Sequence, residues 1–427
     1  MATEKESRKT HHRKKHGSGA GSTSSSPAAS QPVFAQPNPS PDPTGFVNTT
    51  SDEGDYRLND PTLMEAIPAP RGAATEPVLT LTQVLGDAGA AAVSAIQASG
   101  QIVFHAVGDT GSTSGPATQS LVADKMVADF DEADPADVPS FLFHLGDVVY
   151  NFGEGEYYYD QFYEPYREYP APIVAIAGNH DGVVYRTDPA PTLEAFLRNF
   201  CADTPAVSTD AGGLARTAMI QPGVFYTFDA PFVRILGIYS NVLEDPGVIS
   251  SQGDSTSPVS DIQLAYLTAA LGRAKSENYA GAVIVAVHHP PFTYDSIHSG
   301  SPLMSQDIDQ CATTAGFWPH AVLSGHAHNY QRFTRQVNDT QIPYIIGGCG
   351  GHAIDKLQSG SNGAIRTPIS VSSTVTFENY DDTDYGYLRI IVTAETLRIE
   401  YHPASDGTGA KTPDDVVTVD LATRTIS

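Results

Sequence analysis

From Gln101 onward, short apolar runs alternate with segments of helical spacing, and that alternation admits few folds. Gln101–Val107, Ser140–Leu145 and Ile173–Ala177 read as strands. Between them, Thr118–Phe130 carries Leu121, Val122, Met126, Val127 and Phe130 at helical spacing, and Glu156–Tyr169 reads as an aromatic-rich helix. Thr192–Phe200 is helical, Val224–Phe228 and Val233–Tyr239 pair directly, Ile262–Lys275 is an amphipathic helix and Ala282–Val287 a further strand. Ala321–Ser324, Gln331–Val337 and Ile342–Gly347 follow, and Gly386–Thr393 and Thr396–His402 flank a tight turn at Ala394–Glu395. Strands that alternate with helices early and pair directly later predict an α/β sandwich with mixed sheets rather than a barrel. No internal repeat is visible.

The N-terminal part is different. Its first 17 residues hold Lys5, Arg8, Lys9, Arg13, Lys14 and Lys15 against Glu4 and Glu6, with His11, His12 and His16. Residues 17–45 are rich in Ser, Pro, Ala and Gly and read as a flexible linker. Residues 1–75 are therefore expected to form a disordered basic head and linker, and 76–427 one folded domain that ends in β-strands. Within it, the Ala-rich stretch after Leu79 reads as a helix ended by Gly100.

The 427 residues carry 24 Lys+Arg and 49 Asp+Glu, a net charge of −25, so with the head at about +4 the rest stands near −29. Such a body repels long polyanions, and no nucleic-acid partner is expected. A small phosphorylated substrate remains compatible, because a metal ion supplies positive charge locally. No run of about 20 apolar residues occurs, so no transmembrane segment is expected. No apolar stretch follows the basic start, so no secretory signal is visible, which tilts the expectation to the cytoplasm without fixing the compartment. Cys201, Cys311 and Cys349 are too few and too scattered for a disulfide framework.

The chemistry lies just past the strand ends, where α/β folds place ligands. The first strand is followed by Gly108-Asp109-Thr110-Gly111, the second by Gly146-Asp147-Val148-Val149-Tyr150, and the third by Gly178-Asn179-His180-Asp181. The strand at 282–287 leads into His288-His289-Pro290-Pro291, and that at 321–324 into Gly325-His326-Ala327-His328-Asn329. A single Gly-Asp is usually a turn. Five successive exits, each with a carboxylate, amide or imidazole, form a pattern that turn chemistry does not explain. Two Asp, one Asn, three His and a Tyr form an O/N donor set without thiolate, suited to Fe, Mn, Zn or Co and too large for one tetrahedral ion. Two ions bridged by one carboxylate fit it, an arrangement used for phosphoryl transfer. The loop Gly347-Gly348-Cys349-Gly350-Gly351-His352 could admit backbone close to such a centre, or serve turn geometry alone.

The ordered set Gly-Asp-x-Gly, Gly-Asp-x-x-Tyr, Gly-Asn-His-Asp, Val-x-x-His and Gly-His-x-His resembles the calcineurin-like metallophosphoesterase superfamily. Within that superfamily it resembles the purple acid phosphatases, because Gly111 stands where many members have a His ligand and Tyr150 stands three residues after Asp147. The resemblance covers roughly Gln101 to Gly351. It implies a four-layer α/β sandwich of two mixed sheets flanked by helices. It also implies a binuclear centre of Fe(III) with a divalent Fe, Zn or Mn ion. Asp109, Tyr150 and His328 would hold the first metal, Asn179, His288 and His326 the second, and Asp147 would bridge them. His180 would contact the substrate phosphate or the leaving oxygen, and His298 would be the second active-site histidine, with His289 as the alternative for that place.

The implied activity is hydrolysis of phosphomonoesters by a metal-bridging hydroxide. Two other readings stay open: a phosphodiesterase or nucleotide pyrophosphatase on the same metals, and a catalytically silent metal-binding or interaction protein. Oligomeric state is not readable.

Overall fold

The computed structural model describes residues 66–72, 74–182, 192–240, 247–257, 259–295, 297–357 and 365–427. The basic head and most of the linker expected over 1–75 lie outside these residues. Where the described chain begins, it already lies on the folded body: the Arg71 amide donates to the Pro222 carbonyl (2.7 Å), its guanidinium to those of Ile220 and Gln221, and Ile67 packs on the core.

Strand β1 (Val78–Thr80) leads into helix α1 (Leu81–Val84), which Thr80 and Gln83 close with a reciprocal capping box. Helix α2 (Gly89–Ser99) ends at Gly100, whose φ of 81° is the left-handed turn glycine supplies. Then come β2 (Gln101–Val107), α3 (Ala117–Ala128), β3 (Leu142–His144), β4 (Ile173–Ala175), α4 (Asn179–Gly182) and α5 (Glu194–Phe200). The middle of the chain forms β5 (Tyr226–Ala230), β6 (Val233–Ile238), α6 (Ile262–Ser276), β7 (Ala282–Val287), α7 (Pro302–Ala315) and β8 (Ala321–Ser324). The last part is mostly strand: β9 (Tyr330–Val337), β10 (Thr340–Gly347), β11 (Ile369–Ser370), β12 (Val375–Asp381), β13 (Gly386–Thr393), β14 (Thr396–Pro403) and β15 (Asp415–Asp420).

These strands build two mixed sheets, as expected. One has the order β15-β14-β13-β2-β3-β4, the other β1-β5-β6-β7-β8-β10-β9-β12-β11. Strand β7 shows why they stack. Its sequence Ala-Val-Ile-Val-Ala-Val is apolar at every position, as a strand covered on both faces requires. Ala282, Ile284 and Ala286 join Phe104, Phe143, Phe228 and Leu388 between the sheets, whereas Val283, Val285 and Val287 join Leu267, Leu271 and Ile308 of the helices. Burying each such side chain contributes about 1.5–3 kcal/mol. No helix among the described residues is long and apolar enough to cross a membrane.

One element departs from expectation. Residues 156–169 do not form a regular α-helix. Gly155–Tyr157 is one 3₁₀ turn and Tyr159–Tyr163 a π-helical turn, closed by the Glu164 amide on the Tyr159 carbonyl at 2.8 Å. The aromatic side chains Tyr158, Phe162, Tyr163 and Tyr166 are nevertheless buried together, so tertiary packing sets this backbone rather than helical propensity.

His320, just before β8, makes the fold acid-sensitive. It is buried, and Arg424 lies 2.8 Å from its Nε2 while also donating to the carbonyls of Trp318 and Pro319. Burial, then Arg424, push its pKa down to about 3, and burial does the same to His144. An unfolded imidazole titrates near 6.5, so the stability these groups contribute is full above that pH. It is lost as pH falls toward 3, by up to ~1.4 kcal/mol per pH unit per histidine. Urea unfolding between pH 7 and 5 is expected to show this slope, and His320→Asn to reduce it by about one proton. An unchanged slope would remove His320 as a cause.

Candidate metal centre

Strands β2, β3 and β4 run parallel, as do β7 and β8, so the exits within each sheet sit side by side. The two sheets meet at these ends. The Gly108 amide donates to the Gly347 carbonyl (2.9 Å), the Asp109 amide to that of Gly146 (2.9 Å), and the Gly325 amide to that of His288 (3.0 Å). Asp109, Asp147 and His326 take left-handed backbone, with φ of 58°, 55° and 69°. Non-glycine residues adopt this conformation at a cost of order 1–3 kcal/mol, mostly at functional sites.

All seven donors expected from the sequence converge here. The Tyr150 phenol oxygen lies 2.9 Å from Asp147 Oδ2, 3.1 Å from Asp109 Oδ1 and 3.2 Å from His328 Nε2. Asn179 Oδ1 lies 3.0 Å from both His288 Nε2 and His326 Nδ1. Asp147 Oδ2 stands between these groups, 3.3 Å from His288 Nε2. Its other oxygen accepts the His180 amide (2.9 Å).

The imidazoles are oriented from behind. His288 Nδ1 donates to the Leu145 carbonyl (2.8 Å) and His328 Nδ1 faces Asp355 Oδ2 (3.1 Å), so in each ring Nε2 points inward, an arrangement typical of ligating histidines. His326 Nε2 is buried with no hydrogen-bond partner among the described residues.

His180 and His298 lie at the rim. His180 Nδ1 donates to the Asn151 carbonyl (2.7 Å), and its ring centroid is 4.3 Å from that of Tyr150. His298, 7% exposed, has ring centroids 4.7 and 4.8 Å from His326 and His328, with Nδ1 3.4 Å from Asp295 and 3.6 Å from Asp355. His289, the alternative, is fully buried and bonded to Ser240 Oγ (2.9 Å).

The donor chemistry fits cations. Asp109 and Asp147 are fully buried, and their close partners are imidazoles, a phenol and backbone amides. Burial pushes Asp109 up to about 6. His288 is raised to about 9 although burial opposes it, because Asp147 and Asp109 face it. Asp147 is held below the ordinary carboxylate range, against burial, by His288 and His180. Burial, then the two carboxylates, push the Tyr150 phenol well above 10. A pocket of inward lone pairs and buried acids is stabilised by a cation. Among the described residues, two groups could hold a metal ion: Asp109–Asp147–His288 and His298–His328–Asp355.

The glycines of the motifs have a steric reason. A Cβ on Gly178 would lie 2.1 Å from Asp147 Oδ1, and one on Gly325 2.5 Å from Asp109 Oδ2. Three contributors escaped sequence reasoning. Asp355 braces His328 from a loop without a motif. Asp181 accepts from the Val148 and Gly178 amides (3.0 and 2.9 Å), tying the second and third exits together. Gln161 bonds the Tyr150 backbone.

The chain belongs to the calcineurin-like phosphoesterase family: the model of that family matches residues 102–330, which hold all five exits. Among solved structures it is similar to purple acid phosphatase PPD1 from yellow lupin (Lupinus luteus) seeds, at 17% identity and a TM-score of 0.51, over 75% of this chain and 54% of that one. It is also similar to GAP50, the anchor in the inner membrane complex of Plasmodium, at 13% identity and a TM-score of 0.50, over 75% and 89% of the two chains. The chain thus spans about half the length of the lupin enzyme, and at these identities the likeness is one of fold. No curated protein matches the chain.

Proposed function

We propose that this protein is a phosphomonoesterase of the purple acid phosphatase type, working at a binuclear centre of Fe(III) and a divalent Fe, Zn or Mn ion. The observation that carries this reading is the placement of Asp147 Oδ2 between two donor groups, 2.9 Å from the Tyr150 oxygen and 3.3 Å from His288 Nε2. In it, Asp109, Tyr150 and His328 hold one ion, Asn179, His288 and His326 the other, and Asp147 both. Residues 76–427 form the catalytic domain, with Ile67 and Arg71 packed on it from the segment before. When bound, the metals supply an ionised water at neutral pH and offset charge at phosphorus.

The chain's own residues do the rest. His180, fixed through Nδ1 on the Asn151 carbonyl, orients the substrate phosphate. His298 keeps its proton above the ordinary imidazole range, against burial, because Asp295 and then Asp355 face it. It delivers that proton to the leaving oxygen as the oxygen–phosphorus bond breaks, while water's oxygen forms the new bond. Diester hydrolysis by the same centre is the nearest alternative. The silent-protein reading leaves the complete donor set without a purpose.

Metal analysis, a visible spectrum and a panel of monoesters and diesters test the proposal together. Two metals per chain with iron, a tyrosinate-to-iron band lost in Tyr150→Phe, and faster turnover of monoesters are expected. A band that survives in Tyr150→Phe rejects the phenolate, and metal-replete protein inert on every phosphoester at every pH rejects the enzyme.

A further inference from the structure

Tyr150 lies three residues past Asp147 in a loop, so no strand fixes it. Gln161 does. The Tyr150 amide donates to Gln161 Oε1 (2.9 Å), and Gln161 Nε2 donates back to the Tyr150 carbonyl (2.7 Å). One buried side-chain amide thus closes on both backbone groups of one residue. Gln161 reaches this position from the π-helical turn at Tyr159–Tyr163, and Gln119 Nε2 anchors that turn on the Gln161 carbonyl (2.7 Å). Such widened turns are rare and concentrate at functional sites.

Gly111 is the complement. A Cβ there would lie 2.5 Å from Gln161 Oε1 and 2.6 Å from the Val148 carbonyl, so a side chain at 111 and the Gln161 contact exclude each other. The Gly111 carbonyl also anchors His352 Nδ1 (2.9 Å), and the His352 ring stacks on Tyr150 with centroids 3.6 Å apart and planes 12° from parallel. Backbone and ring of Tyr150 are therefore gripped separately, and both grips use Gly111.

We propose that Gln161 is the positioning residue that fixes the Tyr150 phenol in the metal centre, with His352 bracing the ring and Gly111 making room for the grip. This rests on the reading of Tyr150 as a metal donor. A donor on a loop must be held to within about half an ångström to be useful to a metal, which an unsupported loop does not supply.

The test is metal release into a chelator, with metal content and visible spectrum, for wild type, Tyr150→Phe, Gln161→Leu and the double variant. Gln161→Leu is expected to release one of its ions roughly 10- to 100-fold faster than wild type, the range typical of outer-shell partners. The double variant should release it no faster than Tyr150→Phe alone, because both changes act through one donor. Gln161→Glu keeps an acceptor for the Tyr150 amide, loses the return bond, and should fall between. It decides the matter if Gln161→Leu does not fold. Gly111→Ala should release the ion at least as fast as Gln161→Leu, because its Cβ meets the Val148 carbonyl as well as the Gln161 amide.

Wild-type release in both Gln161 variants beside fast release in Tyr150→Phe would overturn the grip. So would effects of the two changes that multiply. Unchanged release in Tyr150→Phe would instead reject the tyrosine as donor, and the grip's role at the metal with it.

Discussion

Asp147→Asn is expected to lower phosphomonoester turnover by about 10⁴-fold, equal to about 5.5 kcal/mol of transition-state stabilisation. The asparagine has the same shape and can still accept the His180 amide through one oxygen, a bond of 2.9 Å in the native protein. Its other terminal atom becomes an NH₂ facing the Tyr150 oxygen and His288 Nε2, where the native carboxylate oxygen stands 2.9 and 3.3 Å away. A donor cannot join two metals, so both donor groups lose their common member. Metal content should fall below two per chain while the far-ultraviolet circular dichroism stays unchanged. A variant that keeps both ions and turns over within tenfold of wild type would remove Asp147 from the bridge.

Metal removal is expected to lower the melting temperature by roughly 10 °C or more. A ligand present at 100 to 1,000 times its dissociation constant adds about 2.7–4.1 kcal/mol, and the proposed centre takes two ions. The stripped protein keeps two buried carboxylates without their cations. Burial raises the folded-state pKa of Asp109 to about 6, above its unfolded value, so the stability of its protonated form is full below about pH 4. That contribution is lost as pH rises through 6. Stripped Asp109→Asn is therefore expected to be more stable than stripped wild type at pH 7, by roughly 1–3 kcal/mol, with the gap closing at pH 4.5. Denaturant titrations of both stripped proteins at the two pH values check this. A stripped wild type as stable as the loaded one would show that the carboxylates are not waiting for cations.

The strands were legible where burial on both faces leaves a mostly apolar run: β2, β7 and β8 begin and end where the sequence places them. The donors were legible because each lies in the short segment that follows a strand. Helix α7 had signals that were passed over. Ser301 caps it through the Met304 amide, Pro302 opens it, and Met304, Ile308, Cys311 and Ala312 keep helical spacing within a polar stretch. The π-helical turn was not legible, since what fixes it is a contact with a loop eleven residues earlier. Asp355 was hidden by topology, and His352 was legible only as the end of a glycine-dense loop, with no role of its own. Strand β10 inserts between β8 and β9, so its end returns beside the β8 exit and carries the following loop into the site. Nothing local in the sequence announces that insertion.

The pairing of β13 with β2 also sets a timetable. Val103 and Ile391 face each other across that ladder, so one edge of the strand that delivers Asp109 has no partner until the chain has been made past residue 393. At about 5–20 residues per second, synthesis leaves that edge open for roughly 15 to 60 s. The strand that delivers Asp109 is therefore completed only after translation has reached the far end of the domain. A nascent chain that stalls before β13 displays an apolar strand edge, the feature that chaperones hold and that aggregation exploits. The last strands supply none of the seven donors, yet they decide when the strand that delivers Asp109 is complete.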